Sequence, residues 1–88
     1  MDERQYLASR IANPFLREAF LRVDRRDFLP EEVRHLAYEA VDEPLPIWEG
    51  ATTTALSLGL FMLDSLDLSP GLKVLEVGTG SGYYTALL

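Results

Sequence analysis

The spacing of hydrophobic residues predicts two helices near the start of the chain. The first lies within residues 3–12, where one helical face carries Tyr6, Leu7 and Ile11. The second is predicted over residues 14–23, because Asn13 is a favoured N-cap and Pro14 fits the first helical position. Its apolar face consists of Phe15, Leu16, Ala19, Phe20 and Val23.

The next segment, residues 24–50, is richer in charged residues and proline. A short helical segment is predicted over residues 30–36. The Pro44-Leu45-Pro46 stretch then predicts an extended loop, which a turn at Trp48-Glu49-Gly50 closes. We expect the basic residues around the end of the second helix to be solvated and to complement its dipole: Arg22, Arg25 and Arg26.

A longer and strongly apolar helix is predicted over residues 52–66. Three threonines precede its apolar residues, and threonine is better suited to a helix start than to a helix interior. Thr52 is therefore the predicted N-cap. Because apolar residues cover much of the helix circumference, we expect the helix to be well buried. A breaker at Ser69-Pro70-Gly71 follows it.

The end of the sequence predicts a strand, a glycine-rich turn and a helix. The strand is Leu72-Lys73-Val74-Leu75-Glu76-Val77-Gly78, whose nearly continuous apolar run is typical of a buried parallel strand. The turn is the GTGSG stretch, and the helix begins at about Tyr83. Strand, glycine turn and helix form the first half of a β-α-β unit. The predicted fold class is therefore α/β, with a helical segment at 1–50 and the start of a ligand-binding domain at 51–88.

Charge and composition exclude several classes of function. The net charge of −6, from 14 acidic and 8 basic residues, argues against nucleic-acid binding and against an anionic membrane surface. There is no cysteine, and the single histidine, His35, has no carboxylate cluster beside it, so no metal site is expected. The polar N-terminus and the absence of an apolar run of about 18 residues favour a cytoplasmic protein.

The glycine-rich turn indicates the class of ligand. A P-loop is excluded because no Gly-Lys-Ser/Thr follows, and a dinucleotide fingerprint would have glycine where Tyr83 stands. An acid, one residue and then G-x-G-x-G is the first motif of S-adenosylmethionine methyltransferases, and Glu76 supplies the acid. Its carboxylate would repel a pyrophosphate but attract a ligand that carries an ammonium and a sulfonium group. The turn therefore predicts an S-adenosylmethionine site.

Several short motifs occur in a fixed order along the chain, and together they are more specific than any one of them. From about Arg25 to its end, the chain resembles the protein-L-isoaspartate O-methyltransferase family. The matching landmarks are Asp27-Phe28-Leu29-Pro30, Ala37-Tyr38, Pro44-Leu45-Pro46-Ile47, Gly50-Ala51-Thr52-Thr53-Thr54 and the glycine motif. The resemblance implies a Rossmann-like domain that transfers a methyl group from S-adenosylmethionine to the free carboxylate of L-isoaspartyl residues in damaged proteins. This reaction is a protein repair step, and its by-product is S-adenosylhomocysteine.

The resemblance also implies roles for individual residues. Thr54 stands where the family has a serine hydroxyl in its active site, so it is the candidate catalytic residue. Where the family often has a proline and a histidine soon afterwards, this chain has Leu56 and Ser57. The candidate substrate-binding residues are Pro46, Ile47, Thr53 and Thr54. The candidate cofactor-binding residues are Glu76, Gly78, Thr79, Gly80, Ser81 and Gly82.

One strand cannot make a methyltransferase sheet, because both of its edges would stay unpaired. We therefore expect the 88 residues to be the N-terminal part of a longer enzyme, a truncated product, or a chain that completes its sheet with a partner. Two other functions stay open. One is another S-adenosylmethionine methyltransferase, such as one that modifies tRNA. The other is a non-catalytic helical module that self-associates through the helix at residues 52–66.

Overall fold

The computed structural model describes residues 2–47 and 50–88, and the described residues contain four α-helices. Two 3₁₀ helices, Arg25–Phe28 and Glu31–Leu36, lie between the second and third α-helix. The turn predicted at Trp48-Glu49 lies outside the described residues. The α-helices are α1 (Glu3–Ser9), α2 (Pro14–Arg22), α3 (Leu56–Ser65) and α4 (Tyr83–Leu87).

The predicted start of α2 is confirmed in detail. Asn13 is the N-cap, and its side-chain oxygen accepts hydrogen bonds from the backbone N–H groups of Phe15 (2.9 Å) and Leu16 (3.2 Å). Pro14 occupies the first helical position. Helix α1 ends earlier than predicted, at Ser9, yet Ile11 is buried beyond its end. The local cap and proline therefore determine where α2 begins, as the sequence predicts.

The main hydrophobic core joins all four α-helices. Phe20 of α2 and Leu56 of α3 are fully buried at its centre. Tyr83 of α4 packs into the same cluster, so the residues after the glycine turn are attached to the helices by apolar contacts. The buried members are Ala8, Ile11, Leu16, Phe20, Leu56, Leu60, Leu63, Tyr83 and Leu87.

A second, smaller core lies under the loop that carries the predicted substrate residues. Its buried members are Leu29, Ala37 and Leu45, and Ile47 packs against them. The side chains of Leu45 and Ile47 therefore anchor the predicted substrate loop in this second core.

Helix α3 begins later than predicted and Thr52 does not cap it. Its first residue is Leu56 and its N-cap is Ala55, which makes no side-chain capping hydrogen bond. Thr52 instead forms an antiparallel β-bridge with Pro46. Pairing across the short loop between Pro46 and Thr52 therefore outcompetes the capping preference of threonine. The helix is also less buried than expected, because one face is exposed at Leu58, Phe61 and Met62.

The predicted strand at residues 72–77 is not present as a strand in the part of the chain that the structure describes. The segment has no regular secondary structure, and Leu75 and Val77 are each 89% exposed. A strand is stabilised by hydrogen bonds to neighbouring strands and by burial of its side chains. Among residues 2–47 and 50–88, no segment pairs with 72–77, so its apolar pattern has nothing to pack against.

A pair of polar residues ties the start of α2 to the end of α3. The Asp64 carboxylate accepts hydrogen bonds from the backbone N–H groups of Ala12 (3.0 Å) and Asn13 (2.8 Å). The Asn13 side-chain amide donates to the Leu68 carbonyl oxygen at 2.7 Å. Asn13 is therefore both a helix cap and a tether for the residues that follow α3.

Replacing Asn13 with alanine should lower the free energy of unfolding by about 2 kcal/mol, because the cap and the tether each contribute about 1 kcal/mol. Asn13→Ser should recover about half of that loss, since serine keeps the cap but cannot reach the Leu68 carbonyl. Urea denaturation of the full-length gene product measures both values. Equal losses in the two variants would contradict a capping contribution.

Candidate functional site

The glycine turn adopts backbone conformations that explain its composition. Gly78 has φ of 79° and Gly80 has φ of 59°, both in the left-handed region that side chains with a Cβ rarely adopt. No heavy atom lies within 4 Å of the place where a Cβ would stand on either residue. The two residues therefore present bare, open backbone, which is what a ligand that approaches the main chain requires.

The other predicted cofactor residues shape or flank this turn. The backbone N–H of Gly82 donates to the Thr79 carbonyl oxygen at 3.1 Å, and the backbone N–H of Tyr83 donates to the Ser81 hydroxyl oxygen at 3.4 Å. The Glu76 carboxylate, which is partly exposed, accepts a hydrogen bond from the Thr85 hydroxyl of α4. The Glu76 carboxylate before the turn is thus tied to the helix that follows the turn. A carboxylate attracts a cationic group and repels a phosphate.

The predicted substrate residues are brought together by antiparallel pairing. The Ile47 N–H donates to the Ala51 carbonyl oxygen, and the Thr53 N–H donates to the Leu45 carbonyl oxygen, each at 2.8 Å. Pro46 and Thr52 form the bridge between these two bonds. Residues of two consecutive predicted landmarks therefore lie side by side on one small ribbon.

An open cavity of about 500 Å³ lies beside this ribbon. Thr54 is exposed there, whereas Thr53 is buried. Within residues 2–47 and 50–88 the Thr54 hydroxyl makes no hydrogen bond, so it is available to a ligand. The cavity is lined by Asp42, Pro44, Thr52, Thr53, Thr54, Ala55, Ser57 and Leu58. Ser57 stands where the resemblance implies a histidine, and it lines this cavity. Leu56 stands where the resemblance implies a proline, and it is fully buried.

The glycine turn and the threonine ribbon meet through Tyr84. Its hydroxyl donates to the Thr54 carbonyl oxygen at 3.0 Å. Partial burial raises the pKa of Tyr84, because the phenolate form loses its hydration, so the hydroxyl keeps its proton and acts as a donor. Helix α4, which follows the glycine turn, therefore contacts the threonine ribbon through Tyr84.

Arg25 is a buried residue whose placement the sequence does not reveal. It was expected to be solvated, but only 1% of it is exposed. Its guanidinium donates to the carbonyl oxygens of Ala37 (2.8 Å) and Thr54 (3.4 Å). Burial lowers the pKa of Arg25, because the charged form is removed from water. The buried cation therefore links the backbone of Ala37 to that of Thr54.

The neighbouring Arg26 shows why Arg25 could not be identified from sequence. Arg26 is exposed and its side chain pairs with Asp24 at 2.7 Å, which lowers the pKa of Asp24 to about 2. Asp24 also caps the 3₁₀ helix Arg25–Phe28. The two arginines are adjacent and chemically identical, so only the direction of this short helix decides which one is buried.

Comparison with known proteins identifies the family. Residues 4–88 match the family described as Protein-L-isoaspartate(D-aspartate) O-methyltransferase. The chain belongs to this family. The resemblance that the sequence landmarks indicate is thereby confirmed, and the family implies a Rossmann-like methyltransferase fold.

Relatives within the protein-L-isoaspartate O-methyltransferase family align along almost the whole chain. The protein of this name from Hyperthermus butylicus is 48% identical over 86 residues, which cover 98% of this chain and 35% of the relative. The one from Ignicoccus hospitalis is 43% identical over 91 residues, covering 98% and 42%. The one from Methanothrix thermoacetophila is 47% identical over 85 residues, covering 97% and 37%. The chain thus spans between 35% and 42% of the length of these relatives.

No helix in residues 2–47 and 50–88 has both the length and the apolar character that crossing a membrane requires. Across the same described residues, no group of three or more His, Cys, Asp or Glu side chains could hold a metal ion.

Proposed function

We propose that this chain contributes the substrate ribbon and the cofactor turn of an enzyme that methylates the free carboxylate of L-isoaspartyl residues in damaged proteins. The observation that carries the proposal is the hydrogen bond to the Thr54 carbonyl oxygen from Tyr84, which stands two residues after the open glycine turn. Family membership supplies the reaction class. In this proposal, residues 1–50 form the substrate side and residues 51–88 begin the cofactor-binding domain.

The cofactor turn fits S-adenosylmethionine, the methyl donor that enzymes of this family use. Gly78, Thr79, Gly80, Ser81 and Gly82 would shape the pocket, since the two open glycines let the ligand reach the main chain. Glu76 would lie near the ammonium group, because its carboxylate flanks the turn, where Thr85 donates a hydrogen bond to it. When bound, S-adenosylmethionine supplies an electrophilic methyl group on a positively charged sulfur.

The ribbon would hold the acceptor carboxylate in line with that methyl group. A free carboxylate is ionised near neutral pH, since carboxyl pKa values are about 4, so no general base is needed. A carboxylate oxygen forms the new O–CH₃ bond as the S–CH₃ bond breaks, and no proton is transferred. Pro46 and Ile47 would contact the peptide, and the hydroxyl of the buried Thr53 donates to the Thr54 carbonyl oxygen at 3.5 Å. Thr54 would donate its hydroxyl to the carboxylate, and catalysis would come from alignment and partial removal of water.

The experiment that tests this function compares two peptides that differ only in isoaspartyl or aspartyl linkage. The full-length gene product is incubated with S-adenosylmethionine that carries a labelled methyl group. We expect base-labile label on the isoaspartyl peptide alone. No label from a folded product that binds S-adenosylhomocysteine would contradict the proposed acceptor. Transfer to tRNA under the same conditions would identify a different methyltransferase.

Replacing Thr54 with valine should lower kcat/KM for the isoaspartyl peptide by about tenfold or more, because a hydrogen bond to a charged group is lost from the reacting complex. Valine has nearly the shape of threonine, so the ribbon should keep its structure. Thr54→Ser keeps the hydroxyl and is the matched control, with kcat/KM close to that of the unmodified enzyme. Steady-state kinetics measure both, and equal losses in the two variants would rule out the hydroxyl as the important group.

A further inference from the structure

The carbonyl oxygen of Thr54 receives side chains from two distant parts of the chain. The Tyr84 hydroxyl donates to it at 3.0 Å from 30 residues downstream, and the Arg25 guanidinium donates at 3.4 Å from 29 residues upstream. The Tyr84 hydroxyl also lies 3.4 Å from the carbonyl oxygen of Ala55, the N-cap of α3. We call these contacts of Arg25 and Tyr84 with the Thr54 carbonyl the Thr54 clamp.

The direction of the Tyr84 hydroxyl is fixed by packing. A Cβ on Gly59 of α3 would lie 2.4 Å from atoms of the Tyr84 ring, so the ring rests directly on the backbone of the helix. The ring of Tyr83 contacts it edge-on, with the centroids 5.1 Å apart. Because the ring sits between a helix and a second aromatic side chain, its hydroxyl is directed at the carbonyl groups of Thr54 and Ala55, just before α3.

The clamp controls the conformation of Thr54 because a residue has only two soft backbone dihedrals. Holding the carbonyl group of Thr54 in one direction restricts its ψ angle. The Thr53 amide is paired with Leu45, so the segment is also held on its N-terminal side. These contacts limit the positions that the Thr54 hydroxyl can occupy.

We propose that Tyr84, together with Arg25, is a positioning residue that orients Thr54 toward the substrate carboxylate. This inference rests on the proposed function of Thr54. Tyr84 stands two residues after Gly82, the last glycine of the cofactor turn. The same tyrosine therefore joins the cofactor turn to the residue that holds the acceptor.

Tyr84→Phe is the test, because it removes the hydroxyl and keeps the ring on Gly59. In the full-length gene product we expect kcat/KM for the isoaspartyl peptide to fall about threefold to tenfold, as loss of one hydrogen bond allows. The dissociation constant for S-adenosylhomocysteine should stay within about twofold of the original value, since the turn itself is unchanged. In a Thr54→Val background, Tyr84→Phe should change kcat/KM by less than about twofold, because its effect acts through the Thr54 hydroxyl.

Tyr83→Phe is the matched control. The Tyr83 hydroxyl is buried and has no hydrogen-bond partner within the described residues, so its removal should leave kcat/KM unchanged. The Thr54 methyl resonance, observed by NMR, should shift in Tyr84→Phe and not in Tyr83→Phe. This second readout needs no activity.

The outcomes separate the two proposals. If the unmodified enzyme does not methylate the peptide, the proposed function fails, and the methyl resonance alone decides whether the clamp orients Thr54. If the enzyme is active but Tyr84→Phe behaves like Tyr83→Phe, the positioning role is overturned. It is also overturned if Tyr84→Phe raises the dissociation constant for S-adenosylhomocysteine by the same factor as it lowers kcat/KM and also lowers the melting temperature, because that pattern indicates a general structural role.

Discussion

Replacing Arg25 with alanine should lower the free energy of unfolding by about 3–4 kcal/mol. Truncating a large buried side chain leaves a cavity, and its loss leaves the carbonyl groups of Ala37 and Thr54 without these donors. Arg25→Met keeps most of the volume and removes a charge that is expensive to bury, so we expect it to lose no more than about 1–2 kcal/mol. Urea denaturation of the full-length gene product, followed by circular dichroism, measures these differences.

Arg26 provides the control for Arg25. It is the same residue type one position later, but it is exposed and pairs with Asp24 on the surface. Arg26→Ala should therefore change the stability far less than Arg25→Ala, because exposed ion pairs contribute little. Similar losses at the two positions would contradict the buried placement of Arg25.

Gly80→Ala should lower the affinity for S-adenosylhomocysteine by up to about a hundredfold. The open backbone at Gly80 is proposed to contact the ligand closely, and an added methyl group in a tight site costs about 1–3 kcal/mol. The positive φ of 59° adds strain of about 1–2 kcal/mol to the folded state. Isothermal titration calorimetry measures the affinity, and thermal unfolding measures the strain.

Gly71→Ala separates strain from ligand contact. Gly71 also has a positive φ, of 89°, and no heavy atom lies within 4 Å of its hypothetical Cβ, but it stands outside the cofactor turn. Gly71→Ala should therefore destabilise the fold to a similar degree and leave the affinity for S-adenosylhomocysteine unchanged. Loss of affinity in both variants would show that Gly80 acts through folding and not through the ligand.

Features that depend on neighbouring residues were predictable from the sequence. Asn13 and Pro14 begin α2 as expected, because a cap and a fixed φ act within one helical turn. The glycine turn and the start of α4 at Tyr83 follow from the same kind of local chemistry. The assignment to the methyltransferase family also depended on short motifs in a fixed order.

Features that depend on distant residues were not predictable in this way. Thr52 was expected to cap a helix, but its pairing with Pro46 is a contact across a loop. Residues 72–77 have the pattern of a strand, yet a strand needs neighbours to form a ladder. The burial of Arg25 depends on the direction of one short helix and on carbonyl groups supplied by Ala37 and Thr54. The composition of a segment does not contain this information.

The link between Asn13 and Asp64 has a consequence for the order of folding. The two residues are 51 positions apart, so this contact closes a long loop and carries an entropic cost that local helix formation does not. Helix α2 can begin to form as soon as its own residues are available. Its N-terminus is completed only when α3 has been synthesised and has docked. The contact between Asn13 and Asp64 therefore forms after α1 and α2, which are neighbours in sequence, can already pack against each other.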